Sequence, residues 1–428
     1  MHRTTWATLS LCVILSVASS SCSIPYPELE NIKSPPWGNT TPSWSPDGTQ
    51  IAYLDFEEDS KAPDGGYWQI YLMNADGSNI QQLTHDLAHH SQPMWSPDGY
   101  KLAFSTDFTS YSEIYVMDAR RLSQKQVTQC HDMHLSCWNP VWSPDGQRIA
   151  VDSRDTSEVV SKGGVYITDV DKAALFQSID RQNVLDDCDN PTWSPDGRRI
   201  AMVCNTGEEK QIGIFVVDLD NYKLVRLTPE VGGGLTWSPD GKRLAFYGDG
   251  IWVIDLDTTH VLSLTQPIDN STSDYFPAWS PDVTKIAFVR GYRIYSIQVD
   301  GSDLRQITDM NGRYPAWSPD GSKIAFDSDC GGISLINMDG SGFTPLLAAA
   351  FTGTPLTGTA PLTVTFSARW AGAVSYQWDF GDGVTSTLRN VSHVYPTAGT
   401  YTIGLTTEHY SCGKHTEVYS NYIAVLHP

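Results

Sequence analysis

The sequence predicts an all-β protein built from a repeated, turn-rich unit, and three observations support this class. The 428 residues include 34 Gly and 25 Pro, which mark turns, and 14 Trp, which supply large packing surfaces. Hydrophobic residues make up 40% and charged residues 18% of the chain, as in globular rather than disordered proteins. One tetrapeptide also recurs seven times. At about 100–200 residues per domain, the length suits two to four domains.

The charge balance excludes two classes of partner. Lys and Arg total 28 and Asp and Glu total 49, which gives a formal net charge of −21. A chain this acidic lacks the basic surface of a nucleic-acid-binding protein. The same charge disfavours docking of the protein's own surface on anionic lipid. We therefore expect no nucleic-acid partner, and membrane association only through a lipid anchor.

The N-terminus has the features of an export signal. Arg3 supplies a positive charge, Leu9–Ala18 forms a short apolar core, and Cys22 follows three serines. This core is too short to span a bilayer. Cys22 resembles the acylated cysteine of bacterial lipoproteins, and cleavage with release is the alternative. We predict a lipoprotein-like signal peptide over residues 1–22, a linker over 23–34, and an extracytoplasmic location in the periplasm or at the cell surface.

An internal repeat organises most of the chain. The motif Trp-Ser-Pro-Asp starts at Trp44, Trp95, Trp142, Trp193, Trp237, Trp279 and Trp317. Gly follows in six copies, and Val283 replaces it in the sixth. Seven residues after each Trp stands Ile or Leu followed by Ala, and a β-rich segment such as Ile70–Met73 comes next. Most copies then have a turn, often Asp-Gly-Ser, before a closing pair such as Leu83-Thr84.

Each repeat therefore reads as four short strands joined by turns. Four strands in a period of about 40–50 residues are typical of a β-propeller blade. We predict a seven-bladed propeller over residues 35–347. The repeated Asp is expected to cap backbone N–H groups in its turn, so its role is structural. Because a positive φ is costly for a β-branched residue, a distorted or different turn is expected at Val283.

These motifs resemble the repeat of the TolB-type propeller. The resemblance covers about residues 35–347 and implies the propeller fold. TolB itself has six blades behind a separate α/β domain, for which this chain has no room. The resemblance therefore does not extend to the role in the Tol–Pal system.

The last 80 residues resemble a PKD domain, an immunoglobulin-like β-sandwich. The stretch contains Trp378-Asp379-Phe380-Gly381-Asp382-Gly383, then His393-Val394-Tyr395 and Gly399-Thr400-Tyr401-Thr402. We assign residues 348–428 to this domain. The resemblance implies a spacer or adhesive module, as PKD domains are in secreted hydrolases and surface proteins.

Six cysteines remain once Cys12 and Cys22 are assigned to the export signal, and an oxidising compartment favours disulfides. Cys130 and Cys137 are close enough in sequence to close a short loop. Cys188 and Cys204 lie symmetrically about the turn Ser194–Gly197, so they would face each other across a hairpin. Cys330 and Cys412 are left over, and a bond between them would require contact between the two domains.

The loops predict where binding takes place. In an up-and-down sheet, the Trp-Ser-Pro-Asp and Asp-Gly-Ser turns lie at one end, and the long variable loops lie at the other. We call the second end the long-loop face, and it is the predicted binding face. Its long segments are Phe56–Trp68, Ser105–Glu113 and Arg154–Gly164.

Five histidines fall in two adjacent loops of the long-loop face. These candidate binding residues are His85, His89, His90, His131 and His134. A metal site would need three or four of these side chains, with Asp86 or Asp132 as further ligands, to converge on one ion. The alternative is a set of solvated loop histidines, and we predict no cofactor, with a divalent metal as the less favoured outcome.

No catalytic motif is assembled in the sequence. The Gly-x-Ser-x-Gly elbow of prolyl-oligopeptidase-like enzymes, a phosphate loop, a dinucleotide fingerprint and a His-Glu-x-x-His motif are all absent. We therefore predict a non-catalytic, monomeric binding protein that recognises a protein or carbohydrate at the cell surface. The alternative is a metal-dependent lyase of the oligogalacturonate type, a related seven-bladed class that uses a histidine-bound metal.

Overall fold

A computed structural model describes residues 41–428, except 60–61, 63–64, 109–110, 156–163, 173–176, 180–184, 207–210, 229–231, 267–272, 331, 348–349, 370–372 and 411. The predicted signal peptide, with Cys22, and the linker lie outside these residues. The described part of the chain is all-β apart from a 3₁₀ helix, Cys130–Met133. None of its helices is long and apolar enough to cross a membrane.

The region of the repeats forms seven antiparallel sheets of four strands each. We number the sheets along the chain. The strands of sheets 1 to 4 are, in order, β1 (Ser43–Trp44), β2 (Gln50–Glu58), β3 (Gly66–Asn74) and β4 (Gln81–Gln82); β5 (His90–Trp95), β6 (Lys101–Thr106), β7 (Glu113–Asp118) and β8 (Gln124–Gln126); β9 (Leu135–Trp142), β10 (Arg148–Asp155), β11 (Gly164–Asp169) and β12 (Gln177–Ser178); β13 (Asp186–Trp193), β14 (Arg199–Thr206), β15 (Gln211–Asp218) and β16 (Leu224–Thr228).

Sheets 5 to 7 continue the same order. Their strands are β17 (Gly233–Trp237), β18 (Arg243–Tyr247), β19 (Ile251–Asp255) and β20 (Val261–Ser263); β21 (Asp274–Trp279), β22 (Lys285–Arg290), β23 (Arg293–Gln298) and β24 (Arg305–Gln306); β25 (Gly312–Trp317), β26 (Lys323–Ser328), β27 (Gly332–Asn337) and β28 (Thr344–Pro345).

The repeated motif forms the hairpin between the first two strands of each sheet. In sheet 1, Asp47 Oδ1 accepts hydrogen bonds from Ser45 Oγ at 2.6 Å and from the Thr49 amide at 3.0 Å. These donors lower the pKa of Asp47. Gly48 adopts φ 71° while its amide donates to the Ser45 carbonyl. The prediction that this Asp caps its turn is confirmed.

The prediction of a distorted turn at Val283 is wrong. Val283 has φ 63°, and its amide donates to the Ser280 carbonyl at 3.0 Å, as glycine does in the other copies. Asp282 still accepts from Ser280 Oγ and the Thr284 amide. Val283 also packs on a buried cluster of sheets 5 and 6. Packing and turn hydrogen bonds thus hold the residue in a conformation that a β-branched side chain disfavours.

The motif tryptophans join neighbouring sheets. In six of the seven copies, the indole N–H donates to the carbonyl of the residue before Trp in the preceding sheet, at 2.9–3.2 Å. The bond of Trp44 is to Ala316, so sheet 1 contacts sheet 7. Apolar residues of these two sheets also share one buried cluster. The exception is Trp95, whose Nε1 is buried without a described partner.

The two ends of the propeller differ as the sequence predicts. The motif turn and the turn after the third strand are hydrogen-bonded to each other, for example Ala75 N to Thr49 O at 2.8 Å. Five further sheets repeat this bond. The loops after the second and fourth strands therefore lie at the opposite end, the long-loop face.

The C-terminal region is a sandwich of two sheets. The first contains β29 (Phe351–Thr354), β31 (Leu362–Ala368) and β34 (Asn390–Tyr395); the second contains β30 (Thr357–Thr359), β32 (Ser375–Asp379), β33 (Thr385–Ser386), β35 (Gly399–His409) and β36 (Gly413–Leu426). Their facing side chains bury Trp378, Phe366 and Tyr395 in one core. The Tyr395 hydroxyl donates to the Phe380 carbonyl at 3.1 Å, which satisfies its polar end.

The sandwich is tied to the propeller by a disulfide and an ion pair. Cys330, next to sheet 7, is bonded to Cys412 of the sandwich. Arg369 of the sandwich binds Asp55 of sheet 1 through two guanidinium nitrogens, with Nε 3.1 Å from Oδ2. Both side chains are largely buried. The contact that the leftover cysteines required is therefore present.

Candidate functional site

The predicted histidines do not form one cluster. His85 is exposed. His90 is buried, with Nε2 2.8 Å from Asp86 Oδ1 and its ring against Phe104. The Nδ1 atom of His89 accepts from the Trp68 amide at 3.3 Å. His89 and His90 are thus held by separate local contacts.

His131 and His134 do contribute to a common site. His131 lies in the 3₁₀ helix and His134 ends it with φ 59°. His134 Nδ1 is 3.3 Å from the Tyr111 hydroxyl. Both histidines line a cavity of about 280 Å³ at the long-loop end of sheet 2. We call it the sheet 2 pocket, and its lining is Thr106, Phe108, Tyr111, Glu113, Tyr115, Gln126, His131 and His134.

A buried carboxylate organises one wall of the sheet 2 pocket. Glu113 is 3% exposed and accepts four hydrogen bonds, from Thr128 Oγ1 at 2.6 Å, from the amides of Cys130 and His131 at 2.9 Å each, and from His131 Nδ1 at 2.7 Å. The adjacent Cys130–Cys137 disulfide closes the loop that presents these amides. Glu113 is thus fully engaged and fixes the position of His131.

His131 lies between two carboxylates at the pocket. Its Nδ1 bonds to Glu113, and its Nε2 lies 3.1 Å from Asp132 Oδ1. The hydrogen bond to Glu113, and then the charge of Asp132, raise the pKa of His131. An imidazolium can donate to both carboxylates at once, whereas a neutral ring can donate to only one.

One polar atom of the pocket has no partner. Thr106 is 5% exposed, and its Oγ1 is buried without a hydrogen bond to any described residue. A buried hydroxyl in that state costs about 1–3 kcal/mol. The atom is closed off from a water-sized probe, so the Thr106 side chain has to rotate before a ligand group or water in the cavity can satisfy it. Together with the cavity, this atom makes the sheet 2 pocket a candidate binding site.

Exposed apolar side chains lie near the pocket. Phe108, in its lining, is 64% exposed; Met133, beside His134, is 42% exposed. Leu87 is 71% exposed, in the loop where the His89 amide donates to Asp107. Exposed apolar residues grouped around a cavity are characteristic of interaction surfaces. The long-loop end of sheet 2 thus combines a cavity with an apolar rim.

The sheet 2 pocket contains no basic side chain other than histidine. None of its lining residues is Lys or Arg. The sequence has no Lys or Arg over residues 102–119 and 127–147, which supply the whole lining apart from Gln126. Glu113 and Asp132 make the local charge negative even when His131 is protonated. This electrostatic character favours a cationic or neutral ligand over an anionic one.

A metal centre is not assembled by the described residues. They contain no group of three or more His, Cys, Asp or Glu side chains placed to hold a metal ion. The long segment Arg154–Gly164 falls mostly outside the described part of the chain.

The remaining cysteines form the two predicted disulfides. Cys130 is bonded to Cys137, and Cys188 to Cys204 across the hairpin of β13 and β14. The sequence signal for the pocket was weaker. Thr106, Tyr111, Glu113 and Tyr115 were not singled out, although Tyr115 follows Ile114 in the repeated third-strand segment that includes Ile70-Tyr71.

A second cavity lies at a backbone feature that recurs in the repeats. The residue three before each motif Trp has a positive φ of 50–58°, and Pro follows it in six of the seven copies. The ladders shift register there, for example between Ser91 and Met94. Residues at and next to this position in sheets 1 to 5 line a cavity of about 300 Å³.

The fold defines an all-β protein with an N-terminal propeller and a C-terminal sandwich, and family comparisons agree. Residues 60–173 match the TolB beta propeller domain, and residues 345–425 match the PKD domain. The chain therefore contains a TolB-type β-propeller and a PKD domain, which confirms both resemblances.

Individual relatives match only parts of the chain. The Tol-Pal system protein TolB of Francisella tularensis subsp. mediasiatica (strain FSC147) is 25% identical over 190 residues, 44% of this chain and 40% of that protein. An uncharacterized peptidase, YuxL of Bacillus subtilis (strain 168), is 37% identical over 71 residues, 15% of this chain and 10% of that protein. The chain thus spans less than half the length of these relatives.

A solved structure supports the fold. An oligogalacturonate lyase in complex with manganese superposes with a TM-score of 0.55 at 15% identity, over 70% of this chain and 89% of the lyase. At this identity the similarity concerns the propeller architecture only.

Proposed function

We propose that the protein is a non-catalytic, extracytoplasmic binding protein that recognises a protein or carbohydrate partner through the long-loop face of its propeller. The observation that carries this proposal is the sheet 2 pocket, with its unpartnered Thr106 hydroxyl and apolar rim. Its volume of about 280 Å³ is close to the lower limit of about 300 Å³ for small-molecule sites. It therefore suits one side chain or one sugar ring of a larger partner.

The wider architecture supports a binding role. The TolB relative is named as a Tol-Pal system protein, which is consistent with an extracytoplasmic location for this chain. The PKD domain is bound to sheets 1 and 7 by the disulfide and the ion pair. We propose that it fixes the orientation of the propeller relative to whatever anchors the chain, rather than acting as a free tether.

Site-specific crosslinking tests this proposal. A photoreactive phenylalanine analogue replaces Phe108 at the sheet 2 pocket, and the control replaces Tyr100, which is 49% exposed next to the motif turn at the other end of the sheet. Both proteins are irradiated in the extracytoplasmic fraction of the source cells. We expect a discrete adduct at position 108 and none at position 100. Equal labelling at the two positions would contradict the proposal.

The lyase alternative has its own test. The mature protein, purified without chelator, is analysed for metal content and incubated with polygalacturonate and manganese. A bound transition metal that is lost in His131→Ala, together with enzyme-like turnover, would replace the binding proposal by the lyase. We expect no turnover, because the described residues supply no metal cage and the pocket's carboxylates repel uronates.

A further inference from the structure

One structural position recurs in all seven sheets. Comparison of the residues and contacts at this position indicates which ligand the sheet 2 pocket prefers. In each sheet, one residue of the third strand lies opposite the second residue after the repeat's Ile or Leu. We call it the third-strand position. It is occupied by Tyr71, Tyr115, Tyr166, Phe215, Trp252, Tyr295 and Ser334.

The chain places its own guanidinium groups on three of these aromatic rings. Arg369 Cζ lies 4.2 Å from the ring centroid of Tyr71 in sheet 1. Arg226 lies 5.9 Å from Phe215 in sheet 4, and Arg290 lies 5.7 Å from Tyr295 in sheet 6. All three distances are within the range of cation–π attraction. In three of the seven sheets, the residue at the third-strand position therefore binds a cation of the chain itself.

In two of these three sheets, carboxylates also bind the guanidinium. In sheet 1, Asp55 binds Arg369, and Glu57 Oε1 lies 3.6 Å from the same guanidinium. In sheet 6, Asp274 is fully buried and accepts from Nε and Nη2 of Arg290 at 2.6 Å each. An aromatic face combined with a buried carboxylate matches a planar guanidinium.

Sheet 2 has the same strand geometry, and its described pocket lining contains two histidines but no Lys or Arg. Tyr115 occupies the third-strand position, and Thr106 occupies the second-strand position of Asp55 in sheet 1 and Arg290 in sheet 6, four residues after the repeat's Ile or Leu. Thr106 pairs with Glu113, so Thr106, Glu113 and Tyr115 lie on one face of the sheet. A cavity lies beside the Tyr115 ring, whereas sheets 1, 4 and 6 place a guanidinium on the ring at this position.

We infer that the sheet 2 pocket binds a basic side chain, an arginine above all, of a partner protein. Its aromatic wall would stack on the guanidinium, the free Thr106 oxygen would accept a hydrogen bond, and Asp132 would supply charge at the rim. This inference rests on the proposed function and names the partner chemistry of the same site. A sugar is the competing occupant, and the experiment below separates the two.

Binding of small probes to the full mature chain tests the inference. Nα-acetyl-L-arginine methylamide is the cationic probe, its citrulline counterpart is the neutral isostere, and methyl galacturonoside and methyl glucoside represent sugars. Saturation-transfer NMR reports each interaction. We expect the arginine probe to bind about tenfold more tightly than the citrulline probe. Equal binding of these two, or binding of a sugar alone, would overturn the inference.

Two variants place the probe in the sheet 2 pocket. Thr106→Arg puts a guanidinium at the position that Arg290 has in sheet 6, so it should fill the pocket and abolish binding of the arginine probe. Tyr100→Arg adds the same charge at the opposite end of the sheet and should leave binding unchanged. Unchanged binding in a folded Thr106→Arg protein would overturn the inference.

A milder variant covers the case in which Thr106→Arg fails to fold. Asp132→Asn, at a residue whose side chain is 64% exposed, should weaken the arginine probe about threefold, and Asp303→Asn, 61% exposed at the other end, should not. Equal effects of the two would overturn the inference. A crosslink at position 108 to a glycan would leave the proposed function standing while the arginine assignment falls.

Discussion

Sheets 1 and 2 share a site that we call the niche, which consists of the third-strand position and the second-strand residue four positions after the repeat's Ile or Leu. The niche is filled in sheet 1 and open in sheet 2. In sheet 1, Tyr71 and Asp55 hold Arg369 of the PKD domain, and the niche serves as an internal joint. In sheet 2, Tyr115 and Thr106 face an open cavity. The same strand positions thus hold an ion pair between the two domains in sheet 1 and border a cavity in sheet 2. A change of one residue, Asp to Thr, accompanies a change from a strong internal ion pair to an unpartnered hydroxyl.

The largest effect is expected in sheet 1, where Arg369 fills the niche. Arg369→Met removes the cation and leaves Asp55 buried without its counter-ion, which costs about 3–5 kcal/mol. Urea unfolding of the full chain measures the loss. The matched control is Lys414→Met, whose exposed ammonium is 3.9 Å from Glu408 and should matter by less than about 1 kcal/mol. A loss at Arg369 as small as that of the control would show that the joint is held by the disulfide and packing alone.

The second-largest effect is expected when the sheet 2 niche is given the carboxylate that sheet 1 has. Thr106→Asp places a carboxylate in sheet 2 where sheet 1 has Asp55. A charge-assisted hydrogen bond to a guanidinium is worth about 1.5–3 kcal/mol, so the arginine probe should bind about tenfold more tightly or better. Thr106→Val is the control of similar shape and should weaken it. No gain with Asp would mean that the open niche does not share the chemistry of the filled one.

How far the sequence predicts these features depends on the range of the interaction. The motif at Trp44 and its copies specifies hairpins and sheets because its hydrogen bonds join residues only two to five positions apart, as Asp47 and Ser45 do. The Cys188–Cys204 bond was predictable for the same reason, since a single hairpin brings the two together.

Contacts between distant parts of the chain were not predictable in this way. Asp55 and Arg369 are separated by 314 positions, and no local pattern pairs them. The sheet 2 pocket depends on the loop before sheet 3 folding over sheet 2, where Glu113 binds the amides of Cys130 and His131. Five histidines in two loops predict a binding site there, whereas Tyr115 is distinguished only when the third strands of the seven sheets are compared.

A smaller effect is expected at the junctions of the two sheets. Trp44 donates its indole hydrogen bond to Ala316, whereas the indole of Trp95 has no described partner. Trp44→Phe leaves a carbonyl unpaired, and Trp95→Phe removes an unsatisfied donor. Trp44 is half-buried and Trp95 is 6% exposed, so Trp95→Phe loses more packing, but the hydrogen bond lost in Trp44→Phe, worth about 0.5–1.5 kcal/mol, should make its cost at least as large. A clearly smaller loss of stability in Trp44→Phe than in Trp95→Phe, measured by urea unfolding, would remove this distinction between the junctions.

The smallest effect is a pH dependence that only the open niche should show. Protonated His131 carries positive charge into the sheet 2 pocket and opposes a cationic ligand. Glu113 and Asp132 raise the pKa of His131, so its charge is lost as pH rises through that raised value. Affinity for the arginine probe should therefore increase about twofold to fivefold from acidic to mildly alkaline pH. The other titratable groups that face or neighbour His131 in the pocket are Glu113, Asp132, His134, Tyr111 and Tyr115.

His131→Gln isolates the source of this dependence. Glutamine can still donate one hydrogen bond to Glu113 but does not titrate, so its affinity for the probe should stay level over the same pH range. His134→Gln, at a ring whose Nδ1 lies 3.3 Å from the Tyr111 hydroxyl, is the matched control and should retain the rise. If the rise persisted in His131→Gln, the titrating group would be another member of the pocket. If affinity instead fell with rising pH in the unsubstituted protein, the charge of His131 would not act on the bound probe. The cation would then bind outside the sheet 2 pocket.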